Sequence, residues 1–367
     1  MFHRRLCTPV LILAILAVAA PAHAAGPALT TFAGTGQSGA DGDGGPAGNA
    51  RLDRPVALAV TASGTVHIGD AGTRAVRSVA ADGTIRTLDV SSAEPTELLA
   101  GGKLAVDAVT ALAAGRDGTV YLADSGATPR VLAVSPDRTA RVFADEVGVP
   151  AALAVAPDGT VYIGDSSGHR VLGSLPGQPM RTVAGNGGGE ILVASGEALG
   201  IPVPYPTGLA VTTDGAVWIA DAGGLLQRLK DGRIGTVTTP TDTEWTVTTE
   251  AAWPPAQTAL SQVLSVTAQG ADVLVLTGTG TVLRLSAGGA VSTALTLAEV
   301  YTGPIAVATT GTVYIADTKG HRVLTATAEP LAEGLPWWLY AAGVALAVAV
   351  VLVTLLLRRR PRGRRRA

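Results

Sequence analysis

The chain has almost no cysteine, little charge and few aromatic rings. Of 367 residues one is cysteine, 15% are charged and 4% are aromatic. Cys7 lies ahead of an apolar run at the start of the chain, a poor position for lipid attachment, and with no second cysteine the chain is not a disulfide scaffold. Its stability must come from burial and from closure of the fold. No paired-histidine metal motif occurs, and the one G-x-S-x-G string, Gly164-Asp165-Ser166-Ser167-Gly168, lies in a strand-rich repeat and not at a strand-to-helix elbow, so the common hydrolase and zinc signatures are not met. Basic charge is short where it would matter for nucleic acid. Two of the 27 Lys and Arg lie in the first five residues and seven in the last ten, leaving 18 against 29 Asp and Glu between them. That surplus of negative charge excludes a nucleic-acid partner.

Glycine is plentiful, at 46 residues, and it punctuates a repeat. The stretch GTVYIGD at 159–165 recurs as GTVHIGD at 64–70, GTVYLAD at 118–124, GAVWIAD at 215–221 and GTVYIAD at 311–317. Six residues before each glycine lies an aliphatic anchor: Leu58, Leu112, Leu153, Leu209 and Ile305. A worn copy has Leu264, Gly270 and then DVLVLTG, with Thr277 in place of the aspartate. Each unit reads as a buried strand, a tight turn, an alternating strand, a second turn and two further strands. Four antiparallel strands per unit make a propeller blade, and six units make a six-bladed, all-β propeller. The sixth unit stops after its third strand at His321-Arg322-Val323-Leu324, while Leu29–Gly34 matches the fourth strand MRTVAG at 180–185. The N-terminal strand is therefore expected to complete the last blade and close the ring, leaving no open array edge to protect.

The ends read differently. Residues 1–24 have Arg4 and Arg5, an apolar run and Ala22-His23-Ala24, the parts of a secretory signal peptide. The propeller is expected over 28–328, a short linker over 329–336 and an uncharged transmembrane helix over 337–357, followed by an Arg-rich tail at 358–367. Trp337, Trp338 and Tyr340 at one end and arginines at the other orient the span with the propeller outside the cytoplasm. The expected location is the cell membrane, single-pass, with the arginine tail also touching lipid.

The run AGTGQSGADGDGGPAGNARLDRPVALAV, continuing through GTVHIGD, resembles the start of an NHL-repeat propeller, and the resemblance extends over about 29–326. It implies six blades and little chemistry. Propellers of that family serve as protein- or RNA-binding platforms and as sensor ectodomains. A related propeller, peptidyl-hydroxyglycine lyase, is catalytic and needs a trio of zinc-binding histidines. Here His67 takes the place of Tyr121 and Tyr162 on the second strand, whereas His169 and His321 share a position before the third. That spacing does not converge on one metal.

Asp70, Asp124, Asp165, Asp221 and Asp317 recur once per unit and are read as structural turn caps bonding backbone N–H groups. Five equal aspartates do not match the unlike metal ligands of propeller lactonases. Asp41 and Asp43 resemble the start of a calcium loop, but Gly45 and Leu52 replace later ligands, so a glycine-rich turn is expected. The least repeat-like stretch, 238–258, carries Trp245 and Trp253. They are either ligand contacts on a loop or a cover for the weak fifth blade. Without a cofactor or metal, the reading is a non-catalytic binding or scaffolding module for a protein or cell-envelope ligand. The alternative is a metal-dependent lactonase- or lyase-type enzyme.

Overall fold

A computed structural model describes residues 29–90, 92–94, 99–100, 103–175, 177–191, 195–237, 262–287 and 291–327. Within them six antiparallel sheets form a propeller. The first blade is Pro55–Val60, Val66–Asp70, Ala75–Val79 and Ile85–Thr87, from the axis outward. Blades two to five begin at Val109, Pro150, Pro206 and Val263 and follow the same order. The sixth consists of Ile305–Val307, Thr312–Asp317, Arg322–Thr327 and, outermost, Thr30–Ala33. The first strand of the chain thus completes the last blade, as its sequence indicates. Phe32 sits edge-on to Tyr314 with ring centroids 4.8 Å apart, and Ala33 is fully buried.

The recurring Ala-Leu-Ala of the innermost strand has a packing cause. Six sheets radiating from one axis approach most closely at their inner strands. Ala57 and Ala59 pack with Leu112, Leu122 and Leu132 of blade two, and Ala111 and Ala113 pack with Leu153 and Ile163 of blade three. Ala152 and Ala154 meet Leu209 and Ile219 of blade four. At the seam Ala306 and Ala316 of blade six pack with Leu58 and Ile68 of blade one. In blades one to three the inner strand therefore turns its methyl groups to the next blade and its leucine to the preceding one. The alternation of side chains along a strand permits this, and a larger residue at either alanine would overpack the narrow end of the wedge. Tight turns at glycines such as Gly159, with φ +88°, return the chain to the second strand; this left-handed geometry suits glycine.

Hydroxyls latch neighbouring blades. Ser125, Ser166 and Thr318 donate to the carbonyls of Pro150, Pro206 and Pro55, the first residue of the next inner strand in each case. The Thr318 bond, 2.7 Å long, joins positions 263 residues apart and closes the ring. Long connections add outer strands: Ser92–Glu94 pairs parallel with blade two and Ser195–Glu197 antiparallel with blade four. Among the described residues no helix is long and apolar enough to cross a membrane. The leader at 1–24 and the helix at 337–357 lie outside the described residues, as do Trp245 and Trp253.

Candidate functional site: the mouth of the axial channel

Antiparallel order places the start of every inner strand, the end of every second strand and the start of every third at one face. All connections between blades therefore emerge there, beside the mouth of the central channel. The inner strand of each blade is paired on one side only, so its other edge turns backbone N–H and C=O groups toward the axis. The cavity is about 440 Å³, is lined by all six inner strands and has no charged side chain in its wall. That volume is in the range of small-molecule sites.

A β-bulge shapes the mouth in five blades. Val56, Thr110, Ala151, Thr207 and Leu264 are each the extra residue where the register of inner and second strands shifts. All five line the cavity. Bulges commonly re-aim a side chain next to functional sites, and here they set a collar of small, uncharged groups. The collar leaves no trace in the sequence, because no turn residue or charge marks a bulged position.

The five repeated aspartates stand behind this collar and do not line the channel. They bond backbone groups of the turn to the third strand, of the connection entering the blade, or of both. Asp165 accepts from Gly168 N and Val149 N at 3.0 and 3.1 Å, and Asp317 accepts from Gly320 N at 2.9 Å. Asp221 accepts from Leu225 N. Asp70 accepts from Asp53 N, and Asp124 from Asp107 N and Ala108 N. Arg130, Arg170 and Arg322 pair with Asp124, Asp165 and Asp317, whereas Asp70 and Asp221 each keep a buried oxygen without a partner. Burial pushes the Asp70 carboxyl up to about 6 and raises Asp221 as well. Burial acts in the same direction on Asp165, but Arg170 and the backbone donors outweigh it and hold that carboxyl below its usual range.

The histidines are dispersed. His67 is buried in blade one with Nδ1 2.8 Å from Ser78 Oγ, and burial lowers its pKa to about 4. His169 and His321 lie on the connection face at equivalent turns. The Nδ1 of His169 bonds the Pro204 carbonyl, and its ring stands edge-on to Tyr205 at 4.8 Å. His321 Nδ1 lies 3.3 Å from both Arg54 N and Asp53 Oδ1. Among the described residues no three His, Cys, Asp or Glu side chains converge as a metal site. An uncharged channel wall, with all five aspartates behind it and bonded to backbone groups, does not fit the central metal that a propeller lactonase implies.

Asp41 and Asp43 are held by arginines. Arg51 pairs with Asp41 at 2.5 Å and Arg77 with Asp43 at 2.6 Å. Arg77 also donates to the carbonyls of Arg51 and Asp41. It stands opposite Ile68, where blades two, three and six have Leu132, Leu172 and Leu324. Blade four has Gln227 there, donating to the Pro202 carbonyl. These two buried polar side chains fasten the long connections from beneath. Their signal in the sequence is a polar residue at a repeat position that is otherwise leucine.

No protein-family profile matches the chain, and no curated protein matches it. Solved structures do resemble it. A gluconolactonase from Xanthomonas campestris superposes with a TM-score of 0.55 at 14% identity, over 82% of this chain and 89% of that one. Virginiamycin B lyase from Staphylococcus aureus gives 0.50 at 15% identity, over 81% and 98%. An auxiliary nutrient binding protein from Bacteroides ovatus gives 0.57 at 12% identity, over 82% and 76%. At such identities the likeness carries architecture and not a reaction. It nevertheless corrects the expectation that the domain is not an enzyme: that inference was drawn from missing motifs, and the same architecture is that of a lactonase and a lyase. The chain is a six-bladed β-propeller of the architecture that these enzymes share.

Proposed function

We propose that this propeller is a small-molecule enzyme of lactonase or lyase type, acting on a neutral, oxygen-bearing substrate at the mouth of the axial channel. The observation that carries the reading is the channel itself: about 440 Å³, free of charged side chains and walled by strand edges. Unpaired backbone donors and acceptors suit carbonyl and hydroxyl oxygens and offer nothing to hold a charged molecule. The imidazole of His321, on the same face, is a group available for proton transfer. The resemblance of about 29–326 to NHL repeats is compatible with this, since the resemblance concerns the blade and not its chemistry. We further propose that the domain is extracytoplasmic, with 1–24 as leader and 337–357 as membrane anchor. Its substrate would then be met outside the cell membrane.

The test is turnover by the purified full chain against a panel of neutral lactones and esters, followed by proton release. Thr207→Trp would plug the collar, because Thr207 is exposed at the mouth. Turnover should fall at least tenfold in this variant with the melting temperature unchanged. Equal turnover in the plugged protein would move the reaction away from the channel, and no turnover across the panel would refute this substrate class.

A further inference from the structure

We propose that the rim between blades three and four is a platform for the ring of a neutral sugar, distinct from the channel. Three side chains of two neighbouring elements form it. Tyr205 and Ile191 belong to the connection that enters blade four, and they are 45% and 51% exposed. Both lie against the turn after Asp221: Ala222 N bonds the Tyr205 carbonyl, and a Cβ added at Gly223 would meet Ile191 Cδ1 first. His169 completes the group from the turn before the third strand of blade three.

The geometry prepares these residues for a flat, partly apolar ligand. Tyr205 is braced edge-on by His169, and His169 is braced by its Nδ1 bond to the Pro204 carbonyl. That bond commits Nδ1 as donor and leaves Nε2 as the ring's acceptor. The imidazole approaches Gly189 so closely that a Cβ there would lie 3.1 Å from its Cε1. Glycine at 189 therefore lets the ring lie on the backbone, and the carboxylate of Glu190 folds back over Gly188.

An exposed tyrosine and an isoleucine side chain offer an apolar surface for the C–H face of a pyranose. The aromatic quadrupole favours the polarised C–H groups. The imidazole nitrogen and the Glu190 carboxylate supply acceptors for hydroxyl donors at the edge. The Glu190 carboxylate at this edge also selects against uronates and other acidic sugars. The equivalent turn at the opposite seam places Arg54 and Asp53 beside His321. It has the same imidazole without the aromatic face, so the platform belongs to one rim.

The test uses the full chain with chitotriose, maltotriose and a galacturonate trimer, read by isothermal titration. A neutral trimer is expected to bind and the acidic one not to bind. Tyr205→Ala should weaken binding at least tenfold, and His169→Gln several-fold, with the melting temperature of each variant within about 2 °C of the parent. The proposal is overturned if neither neutral trimer binds at 10 mM, if the galacturonate binds as tightly, or if Tyr205→Ala binds unchanged. The readout is binding and not turnover. Failure here leaves the channel reading intact, and failure of the lactone panel leaves this one intact.

Discussion

Removing the Phe32 ring should destabilise the whole propeller. Phe32 is half-buried, lies on the outermost strand of the last blade and meets Tyr314 edge-on at 4.8 Å. A fully buried Phe→Ala change costs about 3–5 kcal/mol. Half that burial, together with an edge contact of about 1 kcal/mol, gives about 2.5–3.5 kcal/mol for Phe32→Ala. Deleting 29–33 also removes Leu29, the buried Ala33 and the ladder to Arg322–Thr327, and about 5–7 kcal/mol is expected from these terms. In a domain of this size a kilocalorie shifts the midpoint by about 2 °C. Phe32→Ala should therefore melt about 5 °C lower, and the deletion more than 10 °C lower, by calorimetry. Phe143→Ala is the control, because Tyr121 and Phe143 form a similar edge contact, 5.1 Å apart, inside blade two. A double-mutant cycle between Phe32 and Tyr314 should return about 1 kcal/mol. An unchanged midpoint in the deletion would refute closure as the source of stability. A separate low-temperature transition would show instead that the sixth blade unfolds alone.

Two further outcomes test particular side chains. His67 stays neutral when folded down to about pH 4 but protonates from about 6.5 when unfolded, so the stability it governs is lost as pH falls across that range. His67→Tyr, the residue of blades two, three and six, should flatten that loss. Asp70 acts in the opposite direction: its folded pKa is raised to about 6, so its effect removes stability as pH rises from about 4 to 6. The comparison is therefore made in an Asp70→Asn background, by denaturant melts at pH 4.5 and 7.5, and equal pH slopes would reject the assignment. Arg77→Leu restores the residue common to other blades but releases Asp43 and two carbonyls. It should cost about 2 kcal/mol and speed proteolysis within 35–50, whereas a parental cleavage pattern would show that the loop is held elsewhere.

Much of the architecture is legible because blade geometry repeats. Leu58, Leu112, Leu153 and Leu209 mark inner strands because each must fill one side of a wedge while its alanine neighbours clear the other. Thr30–Ala33 is recognisable as the missing strand because it matches the strand at Arg181–Ala184. The mouth of the channel is less legible. Val56 and Thr207 face the axis through a backbone irregularity that has no residue preference strong enough to read. Arg77 shows in the sequence only as a polar residue at a leucine position, because its partners, Asp43 and two carbonyls, lie on a connection 26 to 36 positions away. Tyr205 and His169 are 36 positions apart and meet only because blades three and four are adjacent. The absence of catalytic motifs was a weaker guide than it appeared, since a site assembled from several blades leaves no contiguous signature.

The bond from Thr318 to Pro55 and the pairing of residue 30 with residue 325 set when the molecule can become native. The first strand has no partner until the last blade exists, so the closing contact carries nearly the largest loop-closure entropy that the chain can incur. Such high contact order slows the final step and separates it from blade formation. Five blades can assemble in order from neighbouring segments, while the sixth waits for both ends. A nascent chain interrupted anywhere before residue 322 would hold an unpaired first strand, which makes that strand the natural client of a chaperone.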